Sequence, residues 1–415
     1  MPIGYIGSQM VDFEKARNAC ENASSHVVEL FDNFLMHYVA RQENIEREMD
    51  VGLAPWAHIV RETASQEWLN NLKAQYIAHR LFKGGGLIRR YLQHSALQQL
   101  EADQRRFLEF QLDHPWRFSF SIVTDTPAPD FFVMEDAFTG DRYLLQSAGL
   151  TSKLAEMSVS LWFNLIAFNG VCWQTFGPIV PFAGFQSDDI FFFATERNKT
   201  INSVEALMKD VEANPFPYAM LVSGAQLPQV ISGADALVMV LSDYSVSSFS
   251  SDRLAGKFSA EYNKSVYKLS LKGMDEPPHF AVAYYDEKHT QMVLTAMTDR
   301  GYSGLVKALK PFFPEIEDEP QVRVSPAMVA HAGHMLRKKI VLHPYEPLFA
   351  KKVKEEDRQE IRKINKILAQ VVKDINGGIK PDIDALARKQ GLDPLMLRRL
   401  VDGATERMRR LRGEK

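Results

Sequence analysis

The sequence predicts an α+β protein with a helical N-terminal domain, strand-rich central regions that contain antiparallel hairpins, and a helical C-terminal unit. Three observations support this fold class. Apolar residues recur at helical spacing before His114, short runs rich in aromatic and β-branched residues follow it, and helical spacing returns after a proline-rich acidic stretch. The predicted domains are 1–114, 115–200, 201–325 and 345–415.

The length and composition are those of a multidomain globular protein. A chain of 415 residues exceeds what one hydrophobic core usually supports, and 46% hydrophobic residues exceed what a disordered chain contains. No run of about 18 apolar residues occurs, and the N-terminus lacks the basic and apolar regions of a signal peptide. We therefore expect a cytoplasmic protein that neither is exported nor spans a membrane.

Cys20 and Cys172 are the only two cysteines of the chain. They are far apart in sequence and lie in segments of different character. The sequence therefore predicts neither a disulfide framework nor a multi-cysteine zinc site, and a reducing compartment fits best.

Charge is distributed unevenly along the chain. Residues 351–415 contain 18 basic and 11 acidic residues, a net charge of +7, while the whole chain carries −3. The first 350 residues therefore carry −10. A basic tail on an acidic body is the one asymmetry of the composition, and such an uneven distribution matters more for partners than the total charge.

The N-terminal domain is predicted to contain three to five helices. Apolar side chains recur every three or four residues from Val27 to Tyr38, as they do on an amphipathic helix. Pro55 and the triplet Gly84-Gly85-Gly86 interrupt the pattern, because proline removes a backbone donor and glycine has a low helix propensity.

Two hairpins are predicted in the region 115–200. Strands at 131–134 and 142–146 flank a turn that contains Gly140. Strands at 161–168 and 171–176 flank Asn169-Gly170, the dipeptide that most readily adopts the positive φ angles of a type I′ turn.

The region 201–325 is predicted to be a sheet covered by a helix. A first helix at 204–212 has Ser203 as its cap. The segments rich in β-branched and aromatic residues predict strands at 218–222, 236–241, 266–271, 280–285 and 292–296. A covering helix is predicted at 305–312, before Pro314.

A linker is predicted before the C-terminal unit, because prolines and like charges discourage compact packing. Its acidic segment is 315–319, and its prolines are Pro311, Pro314, Pro320 and Pro326. Beyond it, one apolar stripe predicts a helix that Gly377-Gly378 ends. The stripe consists of Ile361, Ile364, Leu368, Val371 and Ile375.

The most specific local pattern lies at 382–403. Asp382 can cap a first helix, Ala387 is small enough to let a second helix approach, and Gly391 can adopt the left-handed turn conformation. Asp393-Pro394 can then open the second helix. With the apolar positions Leu386, Leu392, Leu397 and Leu400, the segment resembles the helix-turn-helix family.

The resemblance implies that the second helix contacts DNA. Arg398 and Arg399 would face the groove together with Leu395 and Asp402. Phosphate contacts would come from the following basic residues, which are Arg407, Arg409, Arg410 and Arg412. The alternative is a pair of packed helices that ends the fold or binds another protein.

A second candidate site is a glycine-rich loop that could bind an anion. Lys83, the triplet Gly84-Gly85-Gly86 and the pair Arg89-Arg90 combine backbone amides with basic side chains, next to His79 and Arg80. Neither the P-loop nor the dinucleotide-binding spacing is present. The alternative is a flexible turn between two helices.

The remaining candidates are weaker. His331, His334 and His343 are spaced like metal ligands but lack a fourth ligand, so no metal or other cofactor is predicted. The carboxylates that could pair in space are Glu135, Asp136, Asp188 and Asp189. The phenylalanines at 118 and 120, 131–132 and 191–193 could line a pocket, but burial in the core is the simpler interpretation.

These observations favour a cytoplasmic regulatory or interaction protein that binds DNA or a protein partner through its C-terminal helix-turn-helix-like unit. No catalytic motif occurs, which favours a protein that is not an enzyme. Two alternatives stay open. One is a non-catalytic protein-binding scaffold without a nucleic-acid role, and the other is an enzyme whose site is assembled from distant residues.

Overall fold

A computed structural model describes residues 3–6, 9–156, 159, 161–225, 229–246 and 249–350, and in the C-terminal part 363–364, 366–367, 370–371, 381–395 and 397–398. Contacts divide the chain into two compact units, Met1–Leu342 and His343–Lys415. The first unit combines helices with antiparallel sheets and a barrel, which confirms the predicted α+β class. No helix in the described part of the chain has the length and apolar composition needed to cross a membrane.

The N-terminal region is helical, as predicted. It opens with a two-stranded sheet of β1 (Ile3–Ile6) and β2 (Gln9–Asp12). Its helices are α1 (Phe13–His26), which continues through a π-helical segment (Val27–Leu35) into α2 (Met36–Gln42), then α3 (Ile45–Leu53), α4 (Ala57–Thr63), α5 (Gln66–Phe82), α6 (Ile88–Tyr91) and α7 (Ala102–Asp113).

Local chemistry explains where these helices start and stop. The Asp12 carboxylate caps α1 by accepting hydrogen bonds from the amides of Glu14 and Lys15, at 3.0 and 3.1 Å. Residues 9–114 contain seven α-helices, more than the three to five predicted. The extra breaks arise from features that hydrophobic spacing does not show, such as the left-handed Asn44 before α3.

The next segment is a closed five-stranded barrel. Its strands are β3 (Arg117–Ala128), β4 (Phe131–Asp136), β5 (Arg142–Gln146), β6 (Leu161–Phe168) and β7 (Trp173–Phe182), with α8 (Ala148–Glu156) between β5 and β6. The strand order is β3-β4-β5-β7-β6, and β5 and β7 pair in parallel while the other pairs are antiparallel. Pairing of β3 with β6 closes the barrel.

Both predicted hairpins are present, but the second has a different turn. Phe168 pairs with Trp173, so the loop contains four residues rather than the two of a type I′ turn. The Asn169 side chain organises this loop by accepting hydrogen bonds from the amides of Val171 and Cys172, both at 2.9 Å. Gly170 alone adopts a positive φ, 94°.

Three helices follow the barrel, α9 (Ser187–Arg197), α10 (Val204–Ala213) and α11 (Phe216–Met220). The predicted Ser203 cap is confirmed, because its hydroxyl accepts a hydrogen bond from the Ala206 amide at 3.2 Å. The strand predicted at 218–222 is wrong, since those residues belong to α11 and the short turn after it. The phenylalanines at 191–193 likewise lie on a helix and not in a strand-rich segment.

One continuous hydrophobic core joins the helical region to the outer face of the barrel. It includes Phe31 and Phe82 from the helices, Phe118 and Phe163 from the barrel, and Phe193 from α9. The phenylalanines at 118, 120, 131 and 132 are all buried, in agreement with the simpler interpretation of these residues.

The second sheet has six strands, with one face packed against α12 (Asp299–Leu309). Its order is β11 (Phe258–Asn263), β12 (Val266–Leu271), β13 (Val282–Asp286), β14 (Gln291–Ala296), β10 (Met239–Ser245) and β15 (Val322–Val324). Two further short strands, β8 (Ile231–Ser232) and β9 (Asp235–Ala236), form a separate pair. The strands predicted within 236–296 are therefore confirmed, with bounds shifted by a few residues.

The proline-rich stretch predicted to be a linker is packed instead. Phe313 and Ile316 are buried in the core of the six-stranded sheet, and Val324 of β15 pairs with Met239 of β10. The two buried residues anchor the stretch between Pro311 and Pro320, while its charged residues stay exposed. The helix α13 (Pro326–Leu336) then packs against α9, with Met328 and Ala332 fully buried.

Candidate functional sites

The described part of the C-terminal unit has the local geometry expected for residues 382–391. The Asp382 carboxylate accepts a hydrogen bond from the Ala385 amide at 3.0 Å and caps the helix Ile383–Gln390. The helix ends at Gly391, whose φ of 68° is in the left-handed region. The Asp393 carboxylate then accepts a hydrogen bond from the Leu395 amide at 2.9 Å.

A small apolar cluster lies beneath this turn. Ala387 and Leu397 are completely buried, and Leu392 is nearly so. They pack with Val371 of the predicted apolar stripe and with Ile367, which the stripe did not include. Leu386 and Ile364 are partly buried against the same cluster, while Ile361, Leu368, Ile375 and Leu400 lie outside the described residues.

Arg398 is paired with an acid of the same unit. Its Nε donates to Asp384 Oδ1 at 2.7 Å and its Nη2 contacts Oδ2 of the same carboxylate. These hydrogen bonds lower the pKa of Asp384 below its usual value. The neighbouring Leu395 is 61% exposed. The other predicted DNA contacts, Arg399, Arg407, Arg409, Arg410 and Arg412, as well as Asp402, lie outside the described residues.

In the glycine-rich loop, the structure pairs most of the basic groups with acceptors in the protein. Lys83 Nζ donates to the carbonyl oxygen of Glu212 at 3.2 Å, and the Arg90 guanidinium contacts the Glu43 carboxylate. The Gly86 amide donates to the Lys83 carbonyl at 2.7 Å and is therefore not directed outward. The remaining predicted members, Gly84, Gly85 and Arg89, are exposed. Only the four-residue α6 follows, so the loop lacks the long helix that strengthens an anion site.

Two of the candidate histidines lie on α13 of the first unit and have different neighbours. His331 packs on Gly224, and its Nε2 is 3.3 Å from the Ser223 hydroxyl, while burial lowers the pKa of His331 to about 4. His334 stacks edge-on against His58, with ring centroids 5.5 Å apart, and His343 belongs to the C-terminal unit. Among the described residues, no group of three or more potential metal ligands occurs.

The candidate carboxylates have structural partners. Asp136 accepts hydrogen bonds from the amides of Phe138 and Thr139, each at 3.0 Å, and thereby holds the β4–β5 turn. Asp189 accepts from the Ser325 amide at 2.6 Å, and burial raises its pKa. The other two form ion pairs, Glu135 with Arg142 and Asp188 with Arg323.

Sequence reasoning missed a polar cluster inside the barrel. The Tyr143 hydroxyl is 3.0 Å from Ser119 Oγ and donates to Ser121 Oγ at 3.1 Å. Asn164 pairs directly with Ser119 across β3 and β6, so that both side chains share the inner face. The alternating serines of β3 were the available signal, because alternate residues of a barrel strand point inward.

Two buried polar groups of this barrel make no hydrogen bond within the described structure. One is the side-chain amide of Asn164, with both its nitrogen and its oxygen, and the other is the indole N–H of Trp162. The Arg117 guanidinium lies over the rings of Tyr143 and Trp173, at 5.8 and 5.1 Å from their centroids. The barrel interior can therefore offer hydrogen bonds to a small polar molecule, but buried apolar side chains surround these groups.

A second missed cluster joins the helical region to the barrel. His79 is completely buried and its Nε2 contacts the Glu212 carboxylate, which also accepts a hydrogen bond from the Phe118 amide at 2.8 Å. Burial lowers the pKa of His79 despite the opposing effect of Glu212. The neutral imidazole has no open approach, so this cluster is a structural connection between α5, α10 and β3.

Comparison with known proteins identifies no relative, since no family model, no curated protein and no solved structure matches the chain.

Proposed function

We propose that the chain is a cytoplasmic regulatory or interaction protein whose C-terminal unit, 343–415, binds DNA through a helix-turn-helix-like segment. The observation that carries the proposal is the left-handed Gly391 between the capped helix Ile383–Gln390 and a second helical turn, with Ala387 and Leu397 buried beneath it. Such a turn sets two short helices against each other, as in DNA-binding modules. The fold class alone does not argue for this function.

Charge supports the same unit as the contact surface. The net charge of +7 over residues 351–415 is opposite in sign to that of the rest of the chain. Neutralisation of phosphates by lysine and arginine releases counterions from DNA and supplies most of the sequence-independent affinity. The exposed Lys389 on the first helix adds a further cation to this surface.

The pairing of Arg398 with Asp384 does not exclude a phosphate contact. The Arg398 side chain is 58% exposed, so the ion pair is screened by water and contributes little to stability. A phosphate can replace the carboxylate at a small cost in free energy, because both anions accept the same two guanidinium hydrogen bonds. We therefore keep Arg398 in the proposed contact surface, together with Arg399, Arg407, Arg409 and Arg410.

The barrel is a less suitable nucleic-acid surface. In barrels of the OB-fold type, oligonucleotides bind across the second and third strands. Here Phe131 of β4 and Leu144 of β5 are buried under Phe13 and Ala16 of α1. The outer face of these two strands is therefore occupied by the chain itself.

The test compares two pairs of adjacent arginines. Replacing Arg398 and Arg399 by alanine should weaken binding to a mixed-sequence DNA duplex and reduce the log–log salt slope by about 2, since each phosphate contact contributes about 0.9. The matched control replaces Arg105 and Arg106, which are surface residues of α7 in the first unit. The proposal fails for these arginines if both variants bind like the unmodified chain while circular dichroism shows intact folding.

A protein partner is the second candidate, and the exposure of Leu395 favours it. An apolar side chain that is 61% exposed at the start of the second helix suits a protein interface better than a DNA groove. Leu395→Ser separates the two candidates, because it should leave the electrostatic DNA affinity nearly unchanged. A lower DNA affinity of the Leu395→Ser protein would contradict a contact made with phosphates alone.

A further inference from the structure

The two cysteines of the chain meet in the folded protein. Cys20 lies on α1 and Cys172 lies in the β6–β7 loop, 152 positions later, yet their Sγ atoms are 3.4 Å apart. Both side chains are buried. Sequence separation does not indicate this contact, because it depends on how α1 packs against the barrel.

The surrounding packing holds the two sulfurs in place. Cys20 and Cys172 belong to one apolar cluster in which Phe13 of α1 packs on Phe131 of β4, with ring centroids 5.2 Å apart. The Asn169 amide donates to Cys20 Sγ at 3.3 Å and lies 3.7 Å from Cys172 Sγ. The sulfurs therefore need to approach by only about 1.4 Å to reach the disulfide distance of about 2 Å.

The environment makes the two thiols unequal. The hydrogen bond with the Cys172 thiol has the largest effect on the pKa of Cys20 and lowers it. The Asn169 amide and the positive charge of Arg17 lower this pKa further, whereas burial raises it. Contact with Cys20 and burial both raise the pKa of Cys172. Cys20 also lines a surface depression of about 450 Å³ beside Arg17, through which a small oxidant can approach. Cys20 is therefore the better nucleophile and Cys172 the resolving thiol.

We propose that Cys20 and Cys172 are an oxidation site that forms an intrachain disulfide in reaction with a peroxide. The Cys20 thiol first releases its proton, and the thiolate attacks one oxygen of hydrogen peroxide. The O–O bond breaks, and the departing hydroxide takes up the released proton and leaves as water. The resulting sulfenic acid is attacked by the Cys172 sulfur, the S–O bond breaks, and a second water leaves with the Cys172 proton. Two electrons pass from the two sulfurs to the peroxide.

The disulfide would fasten α1 to the β6–β7 loop. It would connect the helical region covalently to the barrel across the face of β4 and β5 that α1 covers. The inference concerns only the first unit and is independent of the DNA-binding proposal.

The test treats the full-length protein with hydrogen peroxide and maps its peptides without reduction. We expect one species that has lost two hydrogens, a linked pair of peptides containing Cys20 and Cys172, and recovery of both thiols with dithiothreitol. In Cys172→Ser, Cys20 should give a sulfenic acid that dimedone labels. In Cys20→Ser, labelling of Cys172 should be slower by roughly tenfold or more, because burial still disfavours its thiolate and Cys172 does not line the depression beside Arg17.

The comparison of folded and unfolded chains keeps the test decisive if a serine variant fails to fold. The unmodified chain should form the intrachain disulfide faster when folded than in urea. The proposal would be overturned if both thiols of the folded protein could still be alkylated after peroxide treatment. Disulfides that link separate chains would overturn it as well. Equal labelling of the two single variants would overturn the assigned roles of Cys20 and Cys172.

Discussion

Gly391→Val tests the turn on which the proposed binding segment depends. Gly391 has φ 68°, and a Cβ placed on it would meet no atom within 4 Å. The cost of a substitution is therefore backbone strain alone, without a steric clash against neighbours. A left-handed conformation costs an L-residue about 1 to 2 kcal/mol, and β-branching brings valine to the upper end of that range or beyond it. Asparagine tolerates this region and should cost least.

The assay must report on the C-terminal unit, because unfolding of the whole chain is dominated by the larger first unit. Hydrogen exchange of the amides in Ile383–Gln390, followed by mass spectrometry, has that resolution. A loss of about 2 kcal/mol speeds exchange about 30-fold, since about 1.4 kcal/mol corresponds to a factor of ten. We expect the order glycine, asparagine, alanine, valine from slowest to fastest exchange. Equal exchange in the glycine and valine proteins would refute the left-handed turn.

Three further predictions concern the first unit. Glu212→Ala removes the acceptor of the buried His79 and of the Phe118 amide, and should lower stability by roughly 2 to 4 kcal/mol in a urea titration. Gly224→Ala places a Cβ about 2.3 Å from His331 Cγ and should lower the melting midpoint, at a cost of roughly 1 to 3 kcal/mol. Acidification should also destabilise the unit, because burial lowers the pKa of His331 to about 4 and protonation then favours the unfolded chain.

The sign and range of the acid effect follow from this shift. An unfolded histidine has a pKa of about 6.5, so the His331 contribution is complete above that pH. It declines as the pH falls toward about 4, by at most about 3 kcal/mol. His331→Gln should flatten this part of the pH profile, and an unchanged profile would show that His331 titrates normally.

Surface residues provide the controls for the stability predictions. Lys209 lies on α10 with Glu212 but is exposed, so Lys209→Ala should change the urea midpoint little. If Lys209→Ala and Glu212→Ala lower the urea midpoint equally, the loss of stability comes from a change in α10 itself and not from the lost contact with His79. Gly256→Ala is the control for Gly224, since a Cβ at Gly256 meets nothing within 4 Å.

Local features of the fold were predictable from the sequence, and long-range ones were not. Runs of β-branched residues and turn residues indicate the hairpin strands of the barrel. The Ser203 cap follows from a hydrogen bond between residues close in sequence. The edge strands β11 and β15 were missed, because β11 is largely exposed and β15 has only three residues. The packing of Phe313 and Ile316 also depends on distant strands, which is why the proline-rich stretch resembled a linker.

The same distinction applies to the candidate sites. The Asp382 cap and the Gly391 turn are local, so residue types alone indicated them. The pairing of Arg398 with Asp384 and the contact between Cys20 and Cys172 require tertiary structure. The sequence separation of the cysteines and the different character of their segments instead predicted no disulfide framework.

The most direct test of the proposed function is the affinity of the unmodified full-length chain for a mixed-sequence DNA duplex at increasing salt. If the basic C-terminal unit contacts phosphates, the affinity should fall steeply, by roughly tenfold or more between about 50 and about 200 mM salt for two or more contacts. The log–log plot should be linear over this range. Absence of binding at the lowest salt, or an affinity that salt does not change, would contradict the proposal that this unit binds DNA.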